Sequence, residues 1–181
     1  MILRKLAAGT GALALLLVLP ILQAAASANS WSVVPAPSAD EPFDAASITN
    51  TEGDNLIVWS RQADGRLQVF AELHPAEGVK LGRIMPVYKI DGGEAVDTDQ
   101  IRAKGDLQNA LWGLVNERAS VWLLWTSDTP VVKRGEALHA WLSGRQLTVS
   151  IPVADGSTRQ MVFPLAGSSA AIRKVTGITV E

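Results

Sequence analysis

The chain has no cysteine, which excludes thiol catalysis, disulfide exchange, disulfide staples and cysteine-based metal sites. A domain without cross-links must hold itself by its core. Histidine is scarce too, with only His74 and His139 in 181 residues. A histidine metal site needs two or three converging ligands. Neither histidine has a ligand at the i+4 spacing, so both read as surface or packing residues. Glycine-rich phosphate loops are missing. The G-x-S-x-G turn of a serine hydrolase is missing as well, because Gly167-Ser168-Ser169 lacks its second glycine. No apolar stretch after residue 28 is long enough to span a bilayer.

The features that are present begin at the N-terminus. Arg4 and Lys5 precede an uncharged run of 23 residues from Leu6 to Ala28. The run is apolar to Leu19, is broken by Pro20, and closes on Ala26-Ser27-Ala28. This order of positive, apolar and small residues predicts a secretory signal peptide over 1–28, cleaved between Ala28 and Asn29. An uncleaved anchor is the alternative, and Pro20, Gln23 and the Ala/Ser run oppose it. Cleavage leaves 153 residues, 29–181, which suit a single domain in the bacterial periplasm or outside the cell. That mature chain carries 14 basic residues against 18 acidic, a formal charge of −4. Mild acidity disfavours a general role on nucleic acid or anionic lipid.

Strand signals dominate residues 29–181. Trp31 to Val34 is a short apolar strand candidate, Pro35, Pro37 and Pro42 mark a loop, and Phe43 to Ile48 returns. Leu56 to Arg61 is β-branched and apolar, Ala63-Asp64-Gly65 is a turn, and Leu67, Val69, Ala71 and Leu73 alternate with polar or aromatic neighbours. That is a hairpin with one face buried. Ile84 to Ile90 is a further strand, which Pro86 makes an edge strand or splits. Asp91-Gly92-Gly93 turns the chain toward Val96. Residues 106–126 fit two readings. Leu107, Leu111, Leu114 and Val115 share a helix face behind Asp106 as cap, yet 111–115 and 120–126 also read as two strands about Asn116-Glu117-Arg118. The hairpin is preferred. Glu136 to Ser143 is a short amphipathic helix stopped by Gly144. Leu147 to Val153 and Met161 to Leu165 form a hairpin about Asp155-Gly156. Ser168 or Ser169 caps a last short helix with Ile172 and Val175 on its apolar side. The predicted class is mainly β: an antiparallel β-sandwich or curved sheet with one or two short helices near the C-terminus.

The C-terminal third carries a family resemblance. Leu138-His139-Ala140-Trp141-Leu142, then Ser143-Gly144-Arg145, the strand Leu147 to Val153, Asp155-Gly156, Phe163-Pro164-Leu165-Ala166-Gly167 and Ala171-Ile172 come in succession. With the exported N-terminus and Trp31, this resembles the invasion-associated locus B family of alphaproteobacterial envelope proteins. The resemblance implies a small exported β-rich protein of the envelope. It supplies no catalytic residues and no family disulfide.

Two features remain as candidate chemistry. Asp91, Glu94, Asp97 and Asp99 form the densest acidic run, but it lacks the D-x-D-x-D-G order of an EF-hand and reads as solvated turn charge. Six tryptophans are many for a chain with three phenylalanines and one tyrosine. Most should build the core. On a regular strand over 121–125, however, Trp122 and Trp125 point to opposite faces. One of them, or Trp59, is then available to stack on a sugar or a partner protein. The sequence therefore predicts an exported, non-catalytic binding or envelope-associated module with Trp59, Trp122 and Trp125 as anchors. An envelope protein or glycan is the expected partner; nucleic acid, metal and cofactor are not expected. The alternatives are a periplasmic hydrolase acting on sugar or peptide, whose mark would be a cleft joining His74 or His139 to a carboxylate, and a structural or assembly subunit.

Overall fold

The computed structural model describes residues 28–35, 44–82, 85–99, 113–115 and 119–181. The predicted signal peptide, apart from Ala28, and the helix reading of 106–112 lie outside the described residues. Twelve strands and two helices are described in full. In chain order they are β1 (Ser32–Pro35), β2 (Asp44–Thr49), β3 (Asn55–Ala63), β4 (Arg66–His74), β5 (Val87–Ile90), β6 (Val96–Asp97), β7 (Gly113–Val115), β8 (Ala119–Ser127) and β9 (Val131–Val132). Helix α1 (Ala137–Ser143) comes next, then β10 (Gln146–Pro152), β11 (Thr158–Pro164), helix α2 (Ser168–Thr176) and β12 (Thr179–Val180). Six strands form one antiparallel sheet in the order β1-β2-β3-β4-β8-β7, and four form a second in the order β11-β10-β5-β6. The expected mainly β, antiparallel class is what the chain adopts. One pairing departs from it: β12 lies parallel to β9, Thr179 opposite Val131.

The turns explain why the hairpins form where they do. Asp64 and Gly65 both have positive φ, 54° and 75°. Two left-handed residues in succession make the type I′ turn, whose twist matches that of paired strands. The β3–β4 ladder accordingly runs without a slip from Ala63↔Arg66 to Asn55↔His74. The preferred hairpin across 113–127 is present, since β7 and β8 pair antiparallel with Val115 opposite Ala119. Pro86 does not mark an edge. It directly precedes β5, which is an inner strand between β10 and β6.

The two sheets and both helices bury one core. Leu56 and Val58 of β3, Val69, Ala71 and Leu73 of β4, Leu147, Val149 and Ile151 of β10, and Met161 and Phe163 of β11 are all fully buried. Each is two residues from the next on its strand, because side chains alternate between faces. Full burial of a large aliphatic or aromatic side chain contributes about 1.5–3 kcal/mol. Helix α2 packs on β1, β2 and β3, and α1 packs on β8.

Two helix-end expectations are corrected. Gly167, with φ +88°, occupies the N-cap of α2, and neither serine caps it. Ser168 Oγ instead donates to the Trp141 carbonyl at 2.9 Å and so ties α2 to α1. Gly144 does end α1, but with an extended backbone rather than a left-handed one. Glycine is required there for space, since a Cβ would stand 2.5 Å from Ile90 Cγ2 and 2.8 Å from the Ala140 carbonyl.

Candidate functional site

The three tryptophans expected as anchors do not stand together. Trp122 is 1% exposed and Trp125 is 6% exposed, and both belong to the main core. Their expected opposition fails at a β-bulge. The β4–β8 register runs Ala71↔Trp122, Phe70↔Leu123, then Val69↔Trp125. Leu124 is thus an extra residue on β8. An inserted residue resets the alternation, so Trp125 returns to the side of Trp122. The Trp125 indole N–H donates to Glu136 Oε2 at 2.8 Å, just before α1. Trp122 packs among Tyr88 and Trp141, with ring centroids 6.5 and 6.4 Å away.

Trp59 lies on the other face of the six-stranded sheet, as its phase with Ile57 requires. There Phe70, Val121 and Leu123 form a second buried cluster against which Trp59 packs. Its ring stacks on Phe70 with centroids 4.5 Å apart and planes at 20°. The Arg61 guanidinium stands 5.2 Å from the same Phe70 ring. Trp59 Nε1 donates to Glu72 Oε2 at 3.2 Å, and the other oxygen, Oε1, lies 2.8 Å from His74 Nε2.

Glu72 does not stand out in the sequence, although a signal for it exists. Residues two apart on a strand share a face, so Glu72 and His74 are neighbours on any strand that contains both. The i+4 spacing belongs to helices and overlooks them. As a carboxylate Glu72 only accepts, so Nε2 carries the hydrogen and Nδ1 of a neutral imidazole is left as an acceptor. His74 opens onto a cleft of about 480 Å³ lined by residues 74–80. No hydroxyl or thiol side chain is among those lining residues. His139 is elsewhere, on α1, where Ser143 Oγ donates to its carbonyl at 2.8 Å.

A second cleft of about 560 Å³ runs between residues 78–80 and the 153–159 hairpin turn. Arg159, which lines it, holds a fully buried carboxylate, Asp54. Arg159 Nη2 donates to Asp54 Oδ1 and Oδ2 at 3.0 and 3.1 Å, and to Glu52 Oε2 at 3.1 Å. Asn50 Nδ2 and the Ala76 N–H are the further donors to Asp54, at 3.0 and 2.9 Å. A carboxylate so fully occupied has no lone pair to spare for chemistry. It joins the β2–β3 loop of one sheet to β11 of the other.

Among the described residues, three ionisable groups are displaced from their ordinary ranges, and all three hold structure. Burial pushes the Tyr88 phenol up to about 12. The Trp141 indole opposes that shift weakly, its N–H falling outside hydrogen-bonding geometry. Backbone N–H groups of Arg145 and Gln146 donate to Asp91 Oδ1 at 2.9 and 2.8 Å and lower its pKa. The Ser157 hydroxyl and N–H do the same for Asp155, at 2.7 and 2.8 Å. Asp91 therefore serves the turn that the acidic run suggested. Among the described residues no three potential metal ligands converge. Among them, too, no helix is long and apolar enough to cross a membrane.

No family model, curated protein or solved structure matches this chain.

Proposed function

We propose that this protein is an exported, non-catalytic binding module of the bacterial envelope, of the invasion-associated locus B type. Its binding surface is the cleft beside His74 rather than a set of exposed tryptophans. The observation that carries this reading is the Trp59–Glu72–His74 chain of hydrogen bonds. It fixes one imidazole in the wall of a cleft whose lining has polar and charged groups but no hydroxyl or thiol nucleophile. Such a site can orient and hold a polar ligand. An envelope glycan or the polar face of an envelope protein suits it.

The test is retention of purified cell-wall glycan fragments by the exported protein, compared with His74→Ala and Glu77→Ala variants. Both substitutions are expected to weaken retention while leaving the circular dichroism spectrum unchanged. Retention unaffected by either change overturns the cleft as the binding surface.

The same pairing of His74 with a carboxylate beside a cleft is the mark expected of a hydrolase, and it favours a second reading. A carboxylate 2.8 Å from an imidazole is what orients a general base for an attacking water. A hydrolase using the Glu72–His74 pair would cleave sugar or peptide, and His74→Ala would abolish turnover rather than retention.

A further inference from the structure

Strand β11 is an edge of the four-stranded sheet and, at seven residues, the longest edge strand among those described. The direction of its backbone groups is set by its ladder. Pairing with β10 runs from Gln146↔Pro164 to Pro152↔Thr158. Beyond its two ends, the Leu165 N–H donates to the Arg145 carbonyl at 2.8 Å and the Val153 N–H to the Ser157 carbonyl at 2.9 Å. Hydrogen-bonded pairs alternate along an antiparallel ladder, so Arg159, Met161 and Phe163 bond inward to β10. Thr158, Gln160 and Val162 therefore turn their N–H and C=O groups away from the sheet. Pro164 points the same way, and its carbonyl accepts from Trp31 Nε1 at 2.8 Å, which closes that end.

Among the described residues the open stretch has no lysine, no internal proline and no bulge, and its one charged residue, Arg159, is held by Asp54 and Glu52. Edge strands are commonly blunted by lysine, internal proline or bulges. Here the outward positions are Thr158, Gln160 and Val162, all uncharged and exposed, with Val162 at 42%. The β10–β11 ladder has no slip, and the only proline of β11 is its last residue.

We propose that this edge pairs with the same edge of a second copy of the chain, antiparallel and centred on Gln160. That register sets Gln160 against Gln160 and Thr158 against Val162 across the two-fold axis. The three outward N–H and three outward C=O groups of each copy then find partners together, as in any isologous contact. Side chains agree with it. Thr158 meets a β-branched valine, the two Gln160 amides meet each other, and Arg159 faces Met161 rather than another arginine. The two four-stranded sheets become one continuous sheet across the dimer. This dimer edge does not include His74, but its Thr158 borders the second cleft, whose wall at residues 78–80 also lines the cleft beside His74.

The absence of native cysteine makes the register directly readable. In Gln160→Cys the two thiols would sit on a hydrogen-bonded pair about 5.5 Å apart at Cα, within disulfide reach. In Val162→Cys they would be offset along the strands by roughly 13 Å. Mild oxidation is expected to link the first variant into a covalent dimer and to leave the second unlinked. Sedimentation should show concentration-dependent dimers for the unaltered protein, loss of dimer for Gln160→Lys and for Gln160→Glu alone, and recovery when the two are mixed. A monomer at every concentration, equal cross-linking of both cysteine variants, or dimers indifferent to charge at position 160 would each overturn the proposal.

Discussion

Trp122 and Trp125 are three residues apart on one strand, yet both face the same core. Regular alternation would separate them. The bulge at Leu124 brings them back together, and Glu136 then receives the Trp125 indole N–H at 2.8 Å. A side chain in this setting contributes by filling volume. Truncation leaves a cavity that neighbouring sheets cannot close. Trp122→Ala and Trp125→Ala are each expected to cost about 3–5 kcal/mol. Chemical denaturation of each variant measures this. A loss near zero for either would show that its indole is not packed in the core.

Asp54 and Arg159 are 105 residues apart and join the two sheets through two contacts of 3.0 and 3.1 Å. Removing one member of a buried pair strands the other. Asp54→Ala should therefore destabilise by about 3–5 kcal/mol. Arg159→Met, which keeps much of the stem and leaves Asp54 buried, should also destabilise. The double variant Asp54→Ala/Arg159→Met should lose less than the two single losses combined. A double-mutant cycle by urea unfolding decides it, and strict additivity would refute the coupling.

Tyr88 is the chain's one tyrosine, so its titration can be followed by ultraviolet absorbance without overlap from another phenol. Burial raises its pKa from 10.0 to about 12 in the folded protein. The unfolded phenol ionises first. The neutral phenol's contribution is thus complete below pH 10 and is lost as pH rises toward about 12. Tyr88→Phe should flatten that alkaline decline. A folded-state midpoint near the ordinary value would contradict the burial.

Asp91 behaves in the opposite sense. Two backbone donors lower its pKa, so its carboxylate stabilises the fold above the ordinary carboxyl range. That contribution falls away as acid protonates it in the folded state. Asp91→Ala should reduce the slope of stability against pH on the acid side and should loosen the 91–93 turn against Arg145 and Gln146. Thermal unfolding across an acid pH series provides the measurement.

Much of the strand order can be read locally. The β3–β4 and β10–β11 hairpins declare themselves through alternating apolar residues and Asp-Gly turns, because both signals lie within a few residues of chain. The Glu72–His74 pair is equally legible, given the two-residue period of a strand. The helix-end serines mislead, since a cap depends on where the helix axis starts, and Gly167 starts it one residue earlier. Neither the Asp54–Arg159 junction nor the parallel β9–β12 pair leaves a local trace, because each joins segments remote in sequence.

By itself, then, the sequence determined the class of fold, the tight turns and the lack of any thiol. These depend on periodicity and residue chemistry over short stretches. Tertiary structure alone decided which tryptophans meet the core, which carboxylate is buried and which strand edge has no neighbour among the described residues. Those outcomes depend on register and on contacts between distant segments, and a single bulged residue at Leu124 was enough to reverse a side chain's direction.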